Sequence, residues 1–122
     1  MTWKNFTREE FACSCGCGTN EILDKTIDFA QSLRAELGFP LAVTSGYRCK
    51  GHPSEKKKSK PGSHNRGMAV DFGVSGGKAK LLARAILSRS LGGVGINQKG
   101  PQNARFIHGD IDANRLDRFW TY

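Results

Sequence analysis

Residues 63–71 read "SHNRGMAVD", and the interpretation of this stretch decides the fold. A histidine and an aspartate, His64 and Asp71, stand seven residues apart with Gly67 and Ala69 between them. The second half continues as "MAVDFGV" and alternates as a strand does, which puts Ala69 and Asp71 on one side and Val70 and Phe72 on the other. Gly67 lets the chain turn sharply into that strand, and Ala69 is small enough to leave room beside the carboxylate. Taken singly, His64 reads as a surface-loop histidine and Asp71 as a strand-end cap. A catalytic zinc site asks for more, because it takes three protein ligands and keeps a fourth position open.

Working outward, "ARFIHGDID" is a second clear strand, with Phe106, His108 and Asp110 on one face. His108 and Asp110 then lie roughly 7 Å apart along it. If this strand neighbours the one bearing Asp71, then His64, Asp71 and His108 converge as three ligands from separate parts of the chain.

The remaining elements follow from periodicity. Ile22, Leu23, Ile27, Ala30, Leu33 and Leu37 recur at close to 3.6 residues and predict a helix over 19–38, capped by Thr19 or Asn20 and stopped by Gly38 ahead of Pro40. "PLAVTSGYR" predicts a strand over 41–44 that breaks at Ser45 and Gly46 and brings Arg48 to its end. "CKGHPSEKKKSKPGS" has no periodicity and reads as an exposed, mobile loop. A second helix is expected from about Gly77 to Leu91, striped by Ala79, Leu82, Ala83, Ile86 and Leu87. "GGVGI" is a short strand, without the following lysine of a phosphate-binding loop, and the aromatic tail "RLDRFWTY" is expected to cover one end of the core. Together these give an α+β fold in a single domain over residues 1–122, a small central and mainly antiparallel sheet with two main helices packed on it.

Composition agrees with one ordinary globular unit: 38% hydrophobic and 25% charged residues argue against disorder, and 122 residues suffice for one core. Nineteen Lys and Arg against eleven Asp and Glu give a formal charge of +8, which favours anionic partners. No interleaving of aromatic and basic residues marks a specific nucleic-acid binder. No run approaches the roughly 20 apolar residues of a membrane span, and the opening "MTWKNFTREEF" lacks a signal-peptide core, so the chain reads as made in the cytoplasm. Cys13, Cys15 and Cys17 in "CSCGCG" and the distant Cys49 have three open readings: reduced thiols, a disulfide, or a structural thiolate metal site with or without His52.

"SHNRGMAVD" resembles the S-x-H-x-x-G-x-A-x-D signature of the zinc D-Ala-D-Ala carboxypeptidase family, which also takes in L-alanyl-D-glutamate endolysins and, more distantly, the hedgehog signalling domain. "LRAELGFPLAVTSGYRCKGH" is similar to that family's helix, strand and S-G-Y-R segment, and "RFIHGDID" to the strand bearing its last histidine ligand. "FACSCGCG" and the aromatic tail look like the short, single-domain, often phage-encoded members of the carboxypeptidase branch.

The resemblance implies one catalytic zinc ion held by His64, Asp71 and His108, with Ser63 hydrogen-bonding a ligand and Arg48 binding a substrate carbonyl or carboxylate. It implies a metallopeptidase, of D,D-carboxypeptidase or endopeptidase type or L,D-specific, acting as a monomer on stem peptides or crosslinks of peptidoglycan in an anionic cell wall. Such a protein reaches the wall after phage-type release or as part of a virion. Many relatives carry a carboxylate three residues before the last ligand as general base, where this chain has Arg105. The "H-x-D" form of the short members nominates Asp110 for that role. The missing upstream carboxylate keeps an alternative open, a zinc-stabilised wall-binding module with weak or no catalysis.

Overall fold

The structure, a computed structural model, describes residues 2–122. Strands β1 (Ala42–Ser45), β2 (Ala69–Gly73), β3 (Val94–Asn97), β4 (Phe106–Asp110) and β5 (Phe119–Thr121) form one sheet in the order β1-β2-β4-β3-β5. All neighbours run antiparallel except β3 and β5, which are parallel. Helices α1 (Asp24–Leu37) and α2 (Gly76–Arg89) complete the fold, with short 3-10 turns at Arg8–Phe11, Gln102–Ala104 and Ala113–Arg115. The expected α+β architecture is the observed one.

The central strands β2 and β4 are buried on both faces. One face presents Val70, Phe72 and Ile107 to the core formed with Ile27, Ala30 and Leu33 of α1 and Leu82 and Ile86 of α2. Full burial of such side chains contributes roughly 1.5–3 kcal/mol each. Phe29 and Ile86 approach Gly109 on this face, so both helices meet over β4. By alternation the opposite face carries Ala69 and Asp71 from β2 and His108 and Asp110 from β4. Helices thus seal one side of the sheet, and every titratable side chain of its centre lies on the other.

Helix α1 begins later than expected, at Asp24. Neither Thr19 nor Asn20 caps it: Asn20 donates to the Arg8 carbonyl at 2.8 Å and accepts from the Ile22 amide at 3.3 Å. The N-cap residue and the first turn are instead fastened to the His64 loop, since the Leu23 amide and the Thr26 hydroxyl both donate to the Gly67 carbonyl, at 3.1 and 2.6 Å. Its end is as expected, with Gly38 left-handed at φ 76.

One further expectation is corrected. The tail is a strand, β5, and leaves Phe119 62% exposed, so it does not cover an end of the core. The lysine-rich loop is irregular and largely exposed, as expected, and is organised around Glu55, which is buried, accepts from the Gly62 amide at 2.7 Å and pairs with Lys58 at 3.2 Å. Among the described residues no helix is long and apolar enough to cross a membrane.

Candidate metal centre

Register builds the site. One row across the sheet runs Ser45, Asp71, His108, Gly95, Trp120, each residue opposite the next. Directly opposed residues face the same side, so Asp71 and His108 meet, with His108 Nδ1 3.0 Å from Asp71 Oδ1. His64 arrives from the turn before β2, where Gly67 at φ 71 reverses the chain and the Met68 amide donates to the Ser63 carbonyl at 2.9 Å. Its Nε2 stands 3.3 Å from the same Asp71 oxygen. One donor atom from each of His64, Asp71 and His108 lies within 4.8 Å of the others, and all three residues are buried.

The donor set fits zinc. Nδ1 of His64 lies 2.7 Å from the Gly46 carbonyl, an acceptor only, so this nitrogen carries the proton and Nε2 keeps its lone pair. Nε2 of His108 donates to Asp110 Oδ2 at 2.8 Å, which leaves Nδ1 free on the side of Asp71. Two neutral imidazole nitrogens and one carboxylate oxygen converge, and the far nitrogen of each ring is held by an acceptor, as is usual for histidines that ligate metals.

Electrostatics prepare part of this state. Burial pushes the His64 imidazole down, against the pull of Asp71, and so favours the neutral ligand form. Burial would raise Asp71, but the imidazoles of His108 and His64 beside it outweigh that and hold this carboxyl well below the usual carboxylate range. For His108, burial works downward and is overcome by Asp110 and Asp71 on either side of the ring, so its pKa rises; this shift favours the protonated ring, and a cation bound at Nδ1 displaces that proton. Burial likewise opposes ionisation of Asp110, but His108 and the Gly93 amide win and lower it.

Arg48 lies beside the ligand carboxylate. Its Nη2 is 3.1 Å from Asp71 Oδ2, its Nε donates to Ser45 Oγ at 2.9 Å, and its backbone amide donates to the His64 carbonyl at 3.2 Å. Ser63 is buried, but its hydroxyl makes no hydrogen bond to the three ligand side chains. Counted from His64, the signature's serine position two residues earlier is Gly62, so Ser63 does not occupy it.

Asp110 sits where a general base is hard to place. Its side chain is fully enclosed, its Oδ1 accepts from the Gly93 and Asp112 amides at 2.8 and 3.3 Å, and its Oδ2 accepts from His108 and from Arg115 Nε at 3.2 Å. It faces the Nε2 edge of His108, away from the Nδ1 edge where the ligands converge. The expectation of a base is therefore at odds with the geometry.

Sequence reasoning missed Trp120. Its ring lies 4.9 Å from that of His108, centre to centre, with the Arg115 guanidinium 5.2 Å above the indole. Gly95 makes this possible, since a Cβ there would stand 2.6 Å from the indole Nε1. A glycine inside a short strand was the available signal. The four cysteines also converge, all as free thiols, while His52 is not among them.

A family model described as Peptidase M15 matches residues 4–110, a span that holds all three candidate ligands, Arg48 and Asp110 and ends before β5. No curated protein and no solved structure matches the chain.

Proposed function

The chain belongs to the peptidase M15 family of zinc-dependent peptidases, and on that premise we propose that it hydrolyses peptide bonds of bacterial peptidoglycan, as an endolysin or related cell-wall hydrolase with D,D or L,D specificity. One observation carries this reading: His64, Asp71 and His108 are buried with three donor atoms within 4.8 Å, and each histidine's second nitrogen is already engaged. The resemblance to short phage-type members and the basic surface support the wall as target.

Zinc in a three-ligand site supplies Lewis acidity, which polarises a carbonyl and makes water a nucleophile near neutral pH. The chain's own residues do the rest. Asp71, kept ionised, offers its oxygen between the two imidazoles. Arg48 is braced by Ser45 and Asp71, and its Nη1 makes no hydrogen bond among the described residues. That group is free to hold a substrate carbonyl or terminal carboxylate and to share the charge of the oxyanion. Asp110 holds the His108 Nε2 proton, fixing the ring so that Nδ1 points at the site.

The enclosure of Asp110 and the arginine at position 105 favour a second reading, a zinc-stabilised module that binds the wall with weak or no hydrolysis. Zinc-loaded protein and its His108→Ala variant should be incubated with defined muropeptides and the products read by mass spectrometry. New termini from the parent alone are expected and name the bond. Wall binding without release supports the second reading, and neither binding nor release rejects both.

A further inference from the structure

Residues 13–19, "CSCGCGT", have no helix or strand to hold them. Yet the sulfurs of Cys13, Cys15, Cys17 and Cys49 all lie within 4.8 Å of one another. All four are free thiols, and Cys15 Sγ stands 3.3 Å from Cys13 Sγ and 3.2 Å from Cys49 Sγ. Four sulfurs held about 2.3 Å from a tetrahedral zinc ion lie about 3.8 Å apart. The observed spacing brackets that value.

The backbone is shaped for this convergence. In an extended chain, sulfurs two residues apart would be spread by roughly 7 Å. Gly16 and Gly18 take φ 89 and φ 76, and a Cβ at either would meet nothing within 4 Å, so glycine serves the left-handed turn and not a lack of space. Donors also point at the sulfurs: the Cys49 amide at Cys13 Sγ, 3.3 Å, and the Thr19 amide at Cys17 Sγ, 3.4 Å. Such N–H groups stabilise thiolate over thiol. Four thiolates around a divalent ion leave a net negative charge, and Arg48 and Lys50 flank Cys49 in the chain.

We propose that Cys13, Cys15, Cys17 and Cys49 form a second, structural zinc site, closed by four thiolates and sharing no residue with the His64–Asp71–His108 set. Each thiol releases its proton to solvent as its sulfur takes the metal, so no oxidant is required. His52 stays outside, its Nε2 3.5 Å from Ser14 Oγ. The site ties the amino-terminal loop to the residue after Arg48, whose backbone is bonded to His64 and whose guanidinium is bonded to Asp71. A thiolate zinc there anchors one wall of the metal centre. The proposal does not depend on the peptidase reading.

Full-length protein purified under reducing conditions with zinc should carry about two zinc ions per chain. Cys15→Ser/Cys17→Ser should carry about one. His64→Ala/His108→Ala should also carry about one and, loaded with cobalt instead, should show the thiolate-to-cobalt charge-transfer absorption that nitrogen and oxygen ligands do not give. An organomercurial that caps thiols should release about one of the two ions from the unmutated protein, a measurement that does not depend on either variant folding. The proposal is overturned if the parent holds about one ion and the cysteine variant the same, if the mercurial releases none, or if cobalt in the histidine variant lacks the thiolate band. An intact mass short by two or four hydrogens from protein kept from reductant would identify disulfides and overturn it as well.

Discussion

At Asp110 the orientation of one imidazole decides what a carboxylate can do. The H-x-D spacing places Asp110 and His108 on one face of β4, and that much is legible from alternation. Which ring edge faces the carboxylate is not, because it depends on Asp71 across the sheet lying beside Nδ1. Asp110→Ala should therefore weaken zinc binding by about 10–100-fold, read by competition with a chromophoric chelator, and Asp110→Asn, which keeps an acceptor oxygen, should recover much of it. Unchanged zinc affinity with peptide release abolished would restore Asp110 as the base. Tyr47 offers a separate residue-scale test. Its hydroxyl donates to Glu21 Oε2 at 2.9 Å, and burial, with Glu21 second, pushes the phenol from 10.0 up to about 12. The folded state thus holds this proton more tightly than the unfolded chain. The associated stability is complete below pH 10.0 and is lost as pH rises toward about 12. Thermal melts between those limits should show a steeper decline for the parent than for Tyr47→Phe; parallel declines would rule the linkage out.

Among the elements, those that announce themselves by period were legible and those defined by a partner were not. Helices α1 and α2 and strands β1, β2 and β4 have their own apolar rhythm. Strand β5 is three residues whose pairing is with β3, a parallel contact that local sequence does not encode. The start of α1 escaped for the same reason, since the Leu23 amide and the Thr26 hydroxyl are held by the Gly67 carbonyl, more than 40 residues away, and that contact fixes where the chain enters the helix. Gly95 is where these non-local choices converge, because its bare Cα lets the indole of β5 reach His108. Gly95→Ala should push Trp120 off the imidazole, red-shifting tryptophan emission and lowering thermal stability by about 1–3 kcal/mol, the usual range for overpacking a close contact. Unaltered emission and melting would mean that β5 does not seat on the site in solution.

For the molecule as a whole, the sheet separates labour: helices seal one face and the metal centre occupies the other. The lysine-rich loop folds so that Lys50, Lys56, Lys58 and Lys60 share one hollow with Asn65, whose side chain donates to the Arg48 carbonyl at 2.8 Å. Part of the +8 charge is thereby concentrated beside the segment that carries Arg48. A potential of this kind acts over a screening length of about 8 Å at 0.15 M salt and about 3 Å at 1 M. Cosedimentation with cell walls should therefore fall by about tenfold as sodium chloride is raised from low levels toward 1 M. The fall should be small on walls stripped of anionic polymers, and Lys56→Glu/Lys60→Glu should flatten the salt dependence on intact walls without altering zinc content. Binding equally strong on both walls and indifferent to salt would assign recognition to the metal-centre face alone and leave the lysines without a part in it.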